Sequence, residues 1–415
     1  MARPVDVGQV ALAPDDLDAD WDVIVVGSGP AGSTAACWLA RAGARVLVLE
    51  RAAFPRDKAC GDLLIPDALA ALDRLGVRSR VTRVGHAVPR LRVSSARGVT
   101  FDVPSDLVGL PRLQLDALLA AEAVASGARV ARGRVERVRA HERGVEVHVA
   151  PAPGADPVRL GARFVLLATG ADTMLAEQVG MIERPAPSAV ALRKYVTADV
   201  DLPDPIISFD RAVLPGYAWI FPLGARRFNV GVGLFFDERR KHDVAGRASE
   251  LRAVLGRFLA ENPEGRRLAA ATREESPVRG ARLRTGLTGT QPLDRSGRIL
   301  AVGETVGTTY PFTGEGIGKA MESAELAAEV VQAALADGAA RTATYPGTLN
   351  ATLRARYDGY RTAERWLGRA WVGDLVSWRV RRSGRLRRAA EDVLAERTDP
   401  GTIFSPWTLV RSLFG

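Results

Sequence analysis

Residues 22 to 51 restrict the fold of this chain more than any other stretch. Asp22-Val-Ile-Val-Val-Gly-Ser-Gly-Pro-Ala-Gly32 holds a short apolar run, Val23 to Val26, suited to a strand buried on both faces, and then Gly27, Gly29 and Gly32 in GxGxxG spacing. In this pattern the first glycine permits a tight turn, the second lets a diphosphate lie against bare backbone, and the third brings the next helix close to the strand. A helix is expected from Pro30 through Ala31 and Gly32 to about Ala42, with Gly43 ending it. Its free N-terminal amides and positive dipole end face the diphosphate. A second strand, Arg45 to Leu49, delivers Glu50 at its tip, where a carboxylate accepts hydrogen bonds from an adenosine ribose; Glu50 and the adjoining Arg51 are both read as cofactor contacts. Strand, turn, helix, second strand and terminal acid together make a dinucleotide-binding unit, and the fold class follows as α/β.

A chain of 415 residues, 47% hydrophobic and 25% charged, accommodates two or three domains with a sizeable core. No apolar run reaches the roughly 18 residues needed to span a bilayer. Residues 1–20 are acidic and proline-bearing, without the basic end or apolar stretch of a signal peptide, so a disordered lead and a cytoplasmic location are expected. Cys37 and Cys60 form neither a disulfide framework nor a metal-ligand spacing, and the four histidines are scattered; no metal is expected.

The net charge of +9 is concentrated in residues 351–388, where eleven arginines face Asp358, Glu364 and Asp374. No helix-turn-helix, zinc-finger or ribonucleoprotein pattern accompanies it, so nucleic acid is not an expected partner. Trp366, Trp371 and Trp378 among these arginines have the composition of helices lying on an anionic membrane surface; an arginine-coated solvated face is the alternative.

Downstream, helices are expected at 67–75 and from 110 to about 126, with strands within 87–103, at 128–131, 135–140 and 145–149, and a further parallel strand in 163–170. From Ala189 to Phe236 long strands without intervening helices point to a separate antiparallel sheet, and Ile299-Leu-Ala-Val302 returns to the first. The chain divides into a discontinuous nucleotide domain (21–80, 105–185 and 285–340), a substrate domain (81–104 and 186–284) and a C-terminal helical region (341–415). Tyr217, Trp219 and Phe221 alternate and so project from one strand face, as an aromatic wall for a long apolar ligand or as core packing. On the strand 228–236, Gly231 and Gly233 share a face open to close approach by a ligand or a packed layer.

Four segments spread over most of residues 22–336 resemble the aromatic-hydroxylase-like flavoproteins and, within them, the geranylgeranyl reductase family. They are Gly27 to Gly32 with Glu50, Phe54-Pro-Arg-Asp-Lys-Ala-Cys-Gly-Asp62, Pro215-Gly-Tyr-Ala-Trp-Ile-Phe-Pro222, and Arg298 to Met321. The resemblance implies that the first holds the ADP half of FAD, that Cys60 and Gly61 lie beside the flavin, that the third lines a substrate cavity, and that Gly303-Glu304 contacts the ribityl chain. Arg112 is similar to a family arginine that reaches the flavin. Gly314, Gly316 and Ile317 open a helix over about 316–336 whose amides and dipole suit an anionic reduced flavin. Cys60, between Lys58 and Gly61, is read with Tyr217 and Trp219 as substrate-proximal, a thiol that contacts substrate or donates a proton, or else a small buried hydrophobe. Glu304 departs from the family's aspartate by one methylene and keeps its charge. The Asp-Gly pair of aromatic hydroxylases is replaced by Ala168-Thr-Gly-Ala-Asp-Thr173, which leaves the reductant open between NADPH and a separate reductase.

The expectation is an FAD-dependent oxidoreductase that reduces carbon–carbon double bonds of a prenyl chain or similar apolar polyene, reduced flavin passing hydride from N5 while a positioned donor or water protonates the other carbon. The alternative is an FAD-dependent monooxygenase of an aromatic or polyketide substrate. A non-catalytic prenyl-binding escort is the third reading. No Trp-x-Trp-x-Ile-Pro segment supports halogenation.

Overall fold

The computed structural model describes the chain apart from residues 1–5, 13–20, 212, 215, 237–243, 312, 368 and 399–415 and the side chains of 244–249 and 365–367. Two sheets carry the architecture. The first is centred on the strand Trp21–Val26, with Val46–Glu50 parallel on one side and Val158–Leu167 parallel on the other. Val23, Ile24 and Val25 are fully buried, as a strand covered on both faces requires. Arg129–Arg132 extends one side, Ile299–Ala301 joins Val158–Leu167 in parallel, and Gly144–Ala150 with Arg134–His141 completes the other side antiparallel.

The turn after the central strand shows why glycine stands there. Gly27 has φ of +101°, and a Cβ on it would lie 2.5 Å from the Ala168 carbonyl oxygen; on Gly32 it would lie 1.9 Å from the Gly27 oxygen. Neither position admits a side chain. The helix Pro30–Arg41 therefore packs directly on the turn, and against the helices Arg112–Ala125 and Ile317–Asp337.

The second sheet is mostly antiparallel. Its strands run in the order Thr272–Glu275, Ala189–Ala198, Arg227–Phe235, Gly216–Pro222, Ile206–Ser208, His86–Ser94, Thr100–Gly109 and Leu63–Leu64, with Arg279–Leu283 also paired to Ala189–Ala198. Phe228, Val230, Val232 and Leu234 pack with Leu251, Val254, Leu255 and Phe258 of the helix Val244–Glu261. The alternate residues of that strand face the other way, toward the cavity described below. Leu63–Leu64 joins this sheet although the loop before it belongs to the dinucleotide end, so the segment around Cys60 bridges the two bodies.

The lead expected to be disordered over 1–20 differs in its described part. Val10–Ala11 pairs with Ala131 and Arg132, and Val7 is buried against Ala117 and Ala120. The unpaired edge of Arg129–Arg132 offers main-chain donors and acceptors that a passing extended segment satisfies. A helix at Arg78–Val84 was not expected from the sequence, and its seven residues are too short to show a period. The C-terminal region forms the helices Tyr345–Leu367, Ala370–Arg382 and Gly384–Leu394.

Candidate active site

A cavity of about 510 Å³ is walled by residues of both sheets and runs from the Gly27 turn to the strand Gly216–Pro222. Its volume falls within the range of cofactor and ligand sites. Of the residues singled out from sequence, Gly27, Gly29, Pro30, Ala31, Glu50, Arg51, Cys60, Gly61, Arg112, Tyr217, Trp219, Glu304, Gly314, Gly316 and Ile317 line it. Gly32 and Gly303 sit behind the wall. A Cβ on Gly303 would lie 2.7 Å from that of Ala31, so both glycines set helix packing.

At the dinucleotide end Glu50 is held by two backbone amides, Ser28 N–H to Oε2 at 3.1 Å and Ala52 N–H to Oε1 at 3.0 Å, which leaves Oε1 a further lone pair. Arg56, not singled out from sequence, is the organiser here. Its Nε lies 3.2 Å from Glu50, its Nη1 3.0 Å from Asp116, and its Nη2 donates to the Ser28 carbonyl at 3.2 Å. Arg112 grips the same Asp116 with two donors at 2.7 and 2.8 Å. The two guanidinium groups meet over Gly29, where a Cβ would find Arg56 Nη2 at 3.7 Å and Arg112 Nη2 at 3.8 Å. Two fixed cations, a bare backbone and a helix N-terminus form a cradle whose chemistry fits the diphosphate of FAD.

In the middle of the cavity, Glu304 follows the strand Ile299–Ala301 and pairs with Lys58 at 3.2 Å, tying the second glycine-rich segment to the Cys60 loop. The segment Gly314–Gly316 leads into the helix Ile317–Asp337, whose first turn reaches the wall.

The far end is aromatic. Tyr217 and Trp219 have ring centroids 5.7 Å apart, Trp219 and Phe221 6.0 Å, and Tyr217 stacks on Phe235 at 6.2 Å. Gly231 makes room for the indole, since a Cβ there would lie 2.3 Å from the Trp219 ring. The indole is fixed by Asn229, whose Oδ1 accepts from Trp219 Nε1 at 2.9 Å while its Nδ2 donates to the Cys60 carbonyl at 2.7 Å and to Asp62 at 2.8 Å. Asp62 also accepts from Tyr195 at 2.7 Å and from the Arg112 amide at 2.9 Å. Asn229 and Asp62 thus couple the aromatic wall to the cysteine loop. The available sequence signal was one amide in the alternation of strand 227–235, on the face that otherwise carries Arg227, Gly231, Gly233 and Phe235.

Burial, and then the nearby Asp62 charge, push the Cys60 thiol above its usual pKa, so it is the neutral thiol. Burial raises Asp62 to about 6 against the opposing hydrogen bonds from Tyr195, the Arg112 amide and Asn229. A carboxyl that is easier to protonate folded than unfolded contributes stability that is full below its unfolded value near 3.8 and is lost as pH rises through about 6. The melting temperature of the wild type relative to Asp62→Asn is therefore expected to fall between about pH 4 and pH 6. A difference that stays constant over that range would contradict the assignment.

Residues 20–214 match the family model described as FAD binding domain. A menaquinone reductase of Mycobacterium tuberculosis is 34% identical over 76% of this chain and 77% of its own length. A digeranylgeranylglycerophospholipid reductase of Methanopyrus kandleri is 32% identical over 76% of this chain and 81% of its own. Among solved structures, a geranylgeranyl bacteriochlorophyll reductase-like protein from Thermoplasma acidophilum matches with TM-score 0.73 and 21% identity, covering 95% of this chain and 96% of that one. A flavin-dependent brominase matches with TM-score 0.74 and 18% identity, covering 96% and 100%; at such identities these structures speak to fold alone.

Proposed function

We propose, from the premise that this chain belongs to the geranylgeranyl reductase family of FAD-dependent oxidoreductases, that it reduces carbon–carbon double bonds in the prenyl chain of a lipid or quinone. The observation that carries this reading is the continuity of one cavity from the anion cradle over Gly29 to the wall of Tyr217, Trp219 and Phe235. A cofactor anchored at the cradle extends toward an apolar, aromatic space. Bound FAD, once reduced, supplies the two electrons for the double bond.

The chain's own residues do the positioning. Arg56, Glu50 and the Gly27–Gly32 turn take the ADP half, Arg112 reaches from that turn past Cys60 toward the flavin, and Glu304 and the Gly314–Ile317 segment take the flavin end. Tyr217, Trp219, Phe221 and Phe235 exclude water and hold the prenyl chain. Cys60 keeps its proton on Sγ beside that wall. Among the described residues no helix is long and apolar enough to cross a membrane. A prenyl-lipid substrate is met at a membrane surface, and we assign that contact to the arginine-rich C-terminal helices.

The test uses enzyme reduced in the absence of oxygen and mixed with a geranylgeranyl lipid that has no quinone ring, so that only double bonds accept electrons. Flavin reoxidation is expected with the wild type. Trp219→Ala is expected to keep its flavin and lose about 100-fold in kcat/KM, matching roughly 3 kcal/mol for a truncated buried aromatic. Turnover at the wild-type rate would remove the aromatic wall from the substrate site.

A further inference from the structure

We propose that the helix Ala370–Arg382, with the exposed arginines that follow it, is the surface by which this protein docks on an anionic lipid bilayer; the inference deepens the prenyl-lipid reading above. Trp371, Leu375 and Trp378 fall within about 60° of one another around the helix. They are exposed to 61%, 40% and 38%, large apolar side chains left in water on one stripe. The other side is buried through Val372, Ser377 and Val380.

The helix's acid is turned inward. Asp374 accepts from Ser95 Oγ at 2.7 Å and from the Arg97 amide at 2.9 Å. A helix shaped by the fold alone places tryptophan inside and aspartate outside. This one does the reverse. The exposed charges of the segment itself have one sign, since Arg381, Arg382, Arg385, Arg387 and Arg388 are all exposed and no acid other than Asp374 occurs between 370 and 388. The Arg382 guanidinium lies over the Trp378 ring at 4.3 Å, joining a cation to an indole at the surface.

Tryptophan at headgroup depth with guanidinium groups on lipid phosphates is how an interfacial helix binds. Charge complementarity selects that occupant. A second copy of the same patch would bring the arginines against each other, whereas an anionic bilayer pairs with them and accepts Leu375 between the two indoles. The helix also packs on Thr100–Gly109, a strand of the sheet that carries Tyr217 and Trp219, so docking brings the cavity's own sheet to the membrane. Trp366, grouped with these tryptophans in the sequence, has its side chain outside the described residues.

FAD-loaded full-length protein is mixed with vesicles of phosphatidylcholine alone or with added phosphatidylglycerol, at low and high salt, and the bound fraction is read from sedimented flavin absorbance. Binding is expected to grow with phosphatidylglycerol and fade with salt. The double variant Trp371→Ser/Trp378→Ser is expected to lower the partition coefficient by about tenfold or more, and Arg381→Gln/Arg382→Gln to do so on the anionic vesicles only. Both keep flavin content and turnover of a detergent-dispersed substrate. No binding at low salt, or binding that neither double variant changes, overturns the proposal. A solution mass that halves in the tryptophan variant also overturns it, by assigning the stripe to a second copy. Vesicle binding is read without turnover, so absent reductase activity leaves docking intact, and absent docking leaves the reductase reading intact.

Discussion

Gly29→Val is expected to give a folded protein that is colourless after purification. The reason is a contrast within one turn. At Gly27 and Gly32 a Cβ would meet backbone at 2.5 and 1.9 Å, so the fold itself demands glycine there. At Gly29 the backbone is ordinary, with φ of −83°, and a Cβ would meet only two guanidinium ends at normal contact distance. The fold does not need glycine at this position; a ligand lying on the backbone does. Valine would fill that space and push apart Arg56 and Arg112, so flavin per polypeptide should fall below about a tenth of the wild-type value. Circular dichroism should be unchanged. A variant with full flavin absorbance would remove the diphosphate from this turn.

Lys319→Met is expected to cost about 3 to 5 kcal/mol of stability, the range for removing one partner from a buried charge cluster. Lys319 is 2% exposed and its ammonium lies 2.7 Å from Glu396, 2.8 Å from Glu322 and 3.5 Å from Asp67. Burial works against its charge, but these three carboxylates outweigh it and hold the ammonium ionised. Arg356 remains on Glu322 and Glu396 at 2.7 and 3.1 Å, so the loss falls hardest on Asp67, which burial already raises to about 7. Glu396 also accepts from Tyr310 at 2.8 Å and pins the end of the C-terminal helices to the helix Ile317–Asp337. Without Lys319, Asp67 takes up a proton still more readily when folded, so the variant's deficit should shrink as pH falls below about 7. Urea unfolding at pH 8 and pH 5 measures both effects. A cost below about 1 kcal/mol at pH 8 would show that the cluster does not hold the domain together.

What the sequence discloses is local. The Gly27 turn, the helix after it and Glu50 lie within thirty residues, and each leaves a mark in spacing or composition. The aromatic wall is legible for the same reason, because Tyr217, Trp219 and Phe221 alternate along one strand. The groups that organise the site across the fold leave no such mark. Arg56 looks like any loop arginine until Asp116, sixty residues on, is brought beneath it. Asp62, Tyr195 and Asn229 come from three separated segments and meet only after the second sheet closes over the cysteine loop. Lys319 reads as the polar face of an amphipathic helix, and only packing of Glu396 beside it shows that it is buried. Residues 6–12 show the same limit, since the edge they join is made by a strand more than a hundred residues away.

The most direct test of the account compares product masses. Enzyme with reduced flavin is incubated with a geranylgeranyl lipid, once without oxygen and once with it, and the products are weighed by mass spectrometry. A gain of two hydrogens per reduced double bond, formed without oxygen, is the expected result. A product that gains one oxygen atom and forms only when oxygen is present would contradict the account, and would make this cavity the site of a monooxygenase.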